Sequence, residues 1–138
     1  MINDIISDLL TRIRNSLKVY APIVCVPITR LSFSILLILK TQKFINNFKI
    51  IKINGISIFL IDLKYIKNNT QSKILKLIRI SKLSLRRYIN YLKIKPSNLL
   101  FTPFNSLGFF IISTSKGIMT HTKAKTLKLG GEILFFIQ

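Results

Sequence analysis

Acidic side chains are scarce in this chain: Asp4, Asp8, Asp62 and Glu132 stand against 22 Lys and Arg, leaving a formal net charge of +18. General acid–base catalysis needs a poised imidazole or carboxylate with a partner, and four carboxylates and one histidine spread over 138 residues form no such pair. Cysteine is rarer still. Cys25 alone excludes an internal disulfide and a cysteine-based zinc site, and no His, Asp or Glu residues cluster at metal-ligand spacing. Within the apolar run Ile23 to Val26, Cys25 reads as a small buried hydrophobe rather than a reactive thiol. Alanine occurs only at positions 21 and 124, while Ile, Leu, Phe, Lys and Asn dominate, the usage expected of an AT-rich coding sequence.

Long hydrophobic spans are missing too. The longest stretch without a charged side chain, Pro96 to Ser115, contains Pro96, Asn98, Pro103 and Asn105, polar or helix-breaking groups that hydrocarbon cannot satisfy, so it is not expected to cross a membrane. Asp4 and Asp8 interrupt the opening segment, which has neither the apolar core of a signal peptide nor the Arg/Ser richness of a presequence. The chain is therefore expected to begin at its first structural element.

What is present is positive charge on a chain that is 49% hydrophobic, enough to bury a core. A surface so basic repels itself unless a polyanion neutralises it, which points to nucleic acid or an anionic membrane. The cations stand singly among Ile and Leu, as in Lys73-Ile-Leu-Lys76, and so belong to basic faces of a folded domain rather than to a charged tail.

Hydrophobic period supplies the elements. Ile6, Leu9, Leu10, Ile13 and Leu17 predict an amphipathic helix over residues 3–17, with Asn3 as cap and Thr11, Arg12, Arg14 and Asn15 on the exposed side. A short buried strand follows at residues 23–26. Thr29 can cap a second helix from Arg30 to about Gln42, with Leu31, Ile35, Ile38 and Leu39 on its apolar face. Asn54-Gly55 between two β-rich runs, residues 48–53 and 56–63, predicts a type I′ hairpin. The polar segment 67–72 marks a division, taken at 68/69. Beyond it, strands are predicted at 74–80, 85–89, 108–113 and 133–137, with a short helix near His121 to Leu127. The fold class is α+β: residues 1–68 form a small α/β domain (helix-strand-helix-strand-strand) and residues 69–138 a mainly β domain.

Two clusters could carry chemistry. Ser113-Thr114-Ser115-Lys116-Gly117 lacks the glycine spacing of a phosphate-binding Walker loop, but its hydroxyls, cation and glycine suit irregular RNA. An ordinary Ser/Thr-rich turn fits the same five residues. Lys128-Leu129-Gly130-Gly131-Glu132 predicts a tight turn, in which the carboxylate of Glu132 would accept hydrogen bonds from a backbone loop or from base amino groups. His121 reads as a solvated or capping residue.

The opening Asp4-Ile-Ile-Ser-Asp8-Leu-Leu-Thr11-Arg12-Ile-Arg14-Asn15 and the closing Ser113-Thr-Ser-Lys-Gly117-Ile-Met-Thr120, Ala124 and Gly130-Gly-Glu132-Ile resemble the two signature regions of the universal small-subunit ribosomal protein number eight family. Between them, Arg79-Ile-Ser81-Lys82 with Arg86 and Tyr88 resembles that family's central basic strand, and residues 27–45 its second helix. The resemblance covers nearly the whole chain. Leu83-Ser84 stand where the family usually has Pro-Gly, Lys43 replaces its usual glycine after the second helix, and the stretch between Tyr88 and Ser113 is longer than the family's.

The resemblance implies a non-catalytic structural constituent of the small subunit. Such a protein docks on the central domain of small-subunit rRNA, supports assembly and translation, contacts neighbouring subunit proteins, and uses no cofactor or small-molecule substrate. It implies RNA-binding residues at Ser113, Thr114, Ser115, Lys116, Gly117, Thr120, Gly130, Gly131 and Glu132, with Arg86 and Tyr88. A second rRNA segment would be met by Thr11, Arg12, Arg14, Asn15 and Arg30. The AT-rich usage and acid depletion suggest an organellar, bacterial-type member, with the mitochondrion expected in preference to the plastid. The alternative from another class is a basic peripheral protein on anionic membrane surfaces.

Overall fold

Asp4 starts the first helix: its carboxylate accepts the Ser7 N–H at 3.2 Å and so satisfies one of the free donors of the first turn. The expected cap, Asn3, lies outside the described residues, which in this computed structural model are 4–66, 71–94 and 108–138. Helix α1, Ile5–Lys18, buries Ile6, Leu9, Leu10 and Ile13, the stripe that the period predicts.

Strand β1, Ile23–Pro27, corrects the reading of Cys25. Val24 and Val26 are buried and Cys25 is exposed, because the strand covers the core with one face only and successive side chains alternate. Helix α2, Arg30–Thr41, is capped by Thr29, whose Oγ1 accepts the Ser32 N–H at 3.0 Å and lies 2.7 Å from Ser32 Oγ. With that hydroxyl partnered, Ser32 can be fully buried, and the inward stripe becomes Ser32, Ile35, Leu36 and Leu39. Leu31, expected inside, is 40% exposed. The helix ends in a Schellman motif: the Phe44 N–H donates to Leu39 O at 2.9 Å and the Lys43 N–H to Lys40 O at 3.0 Å, with Lys43 at φ 60° in the place glycine usually takes.

Strands β2, Ile45–Ile53, and β3, Ile56–Leu63, form the predicted hairpin, with φ of 50° at Asn54 and 80° at Gly55. Strand β2 starts three residues before the predicted Phe48, with a register irregularity between Ile45 and Asn47. The antiparallel sheet runs β1-β3-β2. Val24, Val26, Phe59 and Ile61 line its buried face, and α1 and α2 pack on β1 and β2. Ile23, Cys25, Ile53 and Ile56 look outward from it. Strands β4, Tyr65–Ile66, and β5, Gln71–Ser72, pair as a short ribbon. The chain divides into compact units Met1–Leu75 and Lys76–Gln138. The division expected at 68/69 lies outside the described residues.

The second unit is organised around β10, Gly131–Ile137, whose residues 133–137 are all buried. On one side it pairs with β8, Phe109–Thr114, which continues to β9, Gly117–Thr120. On the other side lie β6, Leu77–Arg79, and β7, Tyr88–Ile89, one after the other along its length. The strands expected at 74–80 and 85–89 are these shorter pieces, separated by a turn that Lys82 and Leu85 close through their backbones. Strand β9 was not anticipated. Helix α3, His121–Thr126, and a single 3-10 turn at Tyr91–Lys93 pack beside the core of Phe110, Ile112, Met119, Ile133 and Phe136. Of the stretch between Tyr88 and Ser113, which is longer than the family's, residues 95–107 lie outside the described residues. The whole is an α+β fold, as the order of elements predicts.

Candidate nucleic-acid interface

Antiparallel register places three of the sequence-predicted residues in one row. Glu132 at the start of β10 is paired with Ser113 of β8 on one side and with Tyr88 of β7 on the other, and directly paired residues share a sheet face. Tyr88 is 73% exposed, so its ring offers an open stacking surface. Gly131 lets β10 enter this row at close range: a Cβ there would overlap the backbone carbonyl of Ser113.

The β8–β9 turn lies one residue beyond Ser113. Thr114 is paired with Gly117 and closes the turn with its side chain, donating Oγ1–H to Gly117 O at 2.9 Å and accepting the Lys116 N–H at 3.2 Å. Its hydroxyl is thus spent on the fold. Ser115 and Lys116 form the exposed tip, and Gly117, at φ 105° with open space over its Cα, leaves the backbone approachable. Thr120 is placed apart from the tip: it is buried, stands at the N-cap position of α3 without a side-chain capping bond, and its Oγ1 lies 3.0 Å from that of Thr122.

Glu132 is the only acid in residues 76–138, and the structure gives it internal partners. Its Oε1 accepts the Ser81 hydroxyl and, at 2.9 Å, Arg86 Nη1. Burial opposes ionisation, but the Ser81 and Arg86 hydrogen bonds and the charges of Arg86 and Arg79 outweigh it and hold the carboxyl below its usual range. Ser81 is fully buried and its Oγ also accepts the Arg87 N–H at 3.3 Å. Neither Ser81 nor Arg87 was singled out as a site residue. A small polar residue between Ile80 and Lys82 was the available signal.

His121 corrects another expectation. It is buried against Phe109 and Phe110, and its Nδ1 accepts the Phe110 N–H at 3.1 Å. It serves as an acceptor in the core, neither solvated nor capping, because the β8 N–H has no strand partner at that point.

In the first unit, Thr11, Arg12, Asn15 and Arg30 are exposed and Arg14 is half-buried. Arg12 is partly committed, with Nε 2.8 Å from Asp8 Oδ2 and Nη1 3.4 Å from Cys25 O. Thr11, Arg12, Arg14 and Asn15 lie along α1 and Arg30 opens α2.

An α+β scaffold with an exposed aromatic ring, hydroxyls and cations on the open end of a sheet, in a chain of net charge +18, is the make-up of a basic RNA-binding protein. A family model described as Ribosomal protein S8 matches residues 4–138. The small ribosomal subunit protein uS8c of Phaeodactylum tricornutum is 45% identical over 137 residues, covering 99% of both chains. That of Trieres chinensis is 44% identical over 137 residues with the same coverage. The uS8 protein of Crocosphaera subtropica is 42% identical over 135 residues, 98% of this chain and 97% of its own. The chain belongs to the ribosomal protein S8 family, and is a structural, non-enzymatic constituent of the small ribosomal subunit.

Family membership carries with it rRNA and other small-subunit proteins as partners. The mitochondrial expectation is overturned: several of the most similar relatives are uS8c, the chloroplast form, which points to a plastid. An amino-acid usage rich in Ile, Phe, Lys and Asn, of the kind an AT-rich gene produces, is blind to which organelle houses the gene. The membrane-surface alternative gains no support from the relatives, and no described helix is long and apolar enough to cross a bilayer.

Proposed function

We propose that this protein is a primary binder of the central domain of small-subunit rRNA, and that the open end of the second unit's sheet is its main contact surface. The observation that carries this reading is the Tyr88–Glu132–Ser113 row, with the Ser115-Lys116 tip just beyond Thr114 on the β8–β9 hairpin. Tyr88 stacks on an unpaired base, Ser113 and Ser115 exchange hydrogen bonds with base edges or 2′-hydroxyls, and Lys116 neutralises phosphate. Arg86 adds a second cation beside the row. In the first unit, Thr11, Arg12, Arg14, Asn15 and Arg30 meet a further rRNA segment, chiefly through phosphate contacts. The two units thereby divide the work, the second supplying recognition and the first additional affinity, and the bound protein supports subunit assembly.

Irregular RNA is favoured over a regular duplex because hydroxyls and one exposed ring read splayed bases and groove shape, not the deep groove of an A-form helix. The test is binding to a central-domain rRNA fragment against a scrambled RNA of equal length across a salt series. With so high a positive charge any RNA binds at low salt, so the expected result is a preference for the fragment that survives rising salt. Equal and equally steep loss on both RNAs would reduce the interaction to charge alone.

A further inference from the structure

We propose that Glu132 is a positioning residue which acts on RNA through Arg86 and the 82–86 turn, with the buried Ser81 as its anchor, and does not itself touch a base. The inference rests on the RNA-binding reading above and deepens it.

A lone carboxylate in a cationic surface repels phosphate, so its place needs a reason. Geometry supplies one. Glu132 Oε1 takes both the Ser81 hydroxyl and the Arg86 guanidinium, and the Glu132 side chain is only 17% exposed. The same strand grips both arms of the turn through the backbone: the Ser81 N–H donates to Ile133 O at 3.2 Å and the Ile133 N–H to Arg87 O at 2.9 Å. Between the arms, Lys82 and Leu85 exchange backbone hydrogen bonds of 3.0 and 3.1 Å, closing a tight turn at Leu83-Ser84. Ser81 joins the two layers of this clasp, donating to Glu132 and accepting from the Arg87 backbone.

The consequence is electrostatic and geometric together. Glu132 cancels one positive charge, which lowers affinity for RNA in general. In return it tethers Arg86 through Nη1 while the Arg86 side chain remains 42% exposed, and a tethered fork of donors discriminates among acceptor arrangements where a mobile one does not. Glu132 therefore trades indiscriminate affinity for selectivity. The same clasp holds a turn at Leu83-Ser84, where the family usually carries Pro-Gly.

Full-length wild-type protein, Ser81→Ala, Glu132→Ala, Arg86→Ala and the Glu132→Ala/Arg86→Ala double variant would be titrated with the central-domain fragment and the scrambled RNA, after thermal melts confirm folding. Ser81 is fully buried and can influence RNA only through what it holds. The expected result is that Ser81→Ala and Glu132→Ala each lower the fragment-to-scrambled preference by about tenfold, the scale of one charge-assisted hydrogen bond. Glu132→Ala is expected to leave scrambled-RNA binding at low salt undiminished or stronger, and the double variant to match Arg86→Ala alone. Wild-type preference in Ser81→Ala, or losses from Glu132→Ala and Arg86→Ala that multiply in the double variant, would overturn the proposal in favour of direct contact by Glu132. If Glu132→Ala does not melt cooperatively, Glu132→Gln takes its place in the cycle under the same criterion. No preference in the wild-type protein would remove the RNA-recognition reading and this inference together, whereas a preference with multiplying losses removes only this one.

Discussion

His121 Nδ1 accepts the backbone N–H of Phe110 across 3.1 Å in the interior of the second unit, tying the first turn of α3 to β8. A nitrogen that accepts this bond carries no proton, so charging the ring at that position breaks it. Burial holds the His121 pKa below its ordinary value, and the Lys125 charge lowers it further. The unfolded chain, with an imidazole near pKa 6.5, then binds more protons than the folded one between the two pKa values. Stability from this contact is complete above about pH 6.5 and is lost as pH falls toward the folded value. Urea unfolding from pH 8 to pH 5 should show this decline. In His121→Leu the decline should vanish and stability at pH 8 should drop by about 1–3 kcal/mol, the cost of an unpaired buried N–H.

Gly131→Ala places a methyl group on the Ser113 carbonyl, a backbone atom that cannot swing aside as a side chain would. The expected cost is about 1–3 kcal/mol or more, read as a lower urea midpoint. Because Gly131 leads into the row that joins Tyr88, Glu132 and Ser113, fragment preference should fall with it. A variant as stable as wild type would show that β10 can shift at no cost.

Tyr88 and Lys116 should fail in different ways. Tyr88→Ala removes an exposed ring and is expected to cost about 1–3 kcal/mol of fragment binding, largely restored in Tyr88→Phe. Lys116→Ala removes a point charge at the turn tip, so it should weaken both RNAs alike and lower the salt slope by about one ion. Filter-binding or fluorescence titrations at several salt concentrations separate the two patterns.

Thr29→Ala removes the cap of α2 and the partner of the buried Ser32 hydroxyl in one step. Loss of about 1–2 kcal/mol is expected, and Thr29→Ala/Ser32→Ala should recover part of it, since the orphaned hydroxyl is then gone. Thermal melts of the two variants decide this.

Local signals were the legible ones. The helical period of α1 identified Ile6, Leu9, Leu10 and Ile13, and Asn54-Gly55 located its hairpin because both positions tolerate positive φ. Cys25 was misread because a four-residue apolar run looks the same whether one face or both are covered. Leu31 and Leu36 exchanged places because the phase of α2 depends on a buried Ser32 that hydropathy alone assigns to the outside. Glu132 was recognised as unusual, but its hydrogen bond to Ser81 spans 51 positions, and no local pattern encodes a contact made by strand order. Lys43 shows the converse: a Schellman end formed without glycine, set by the Phe44 and Lys43 backbone bonds.

The outward turn of Cys25 on β1 has a practical side. The chain has a single thiol, and it stands on a solvent-facing strand whose carbonyl at that same residue receives Arg12. A maleimide dye attached there labels every molecule at one position without any substitution. Its emission tests whether α1 engages RNA, giving the first unit an optical reporter of its own.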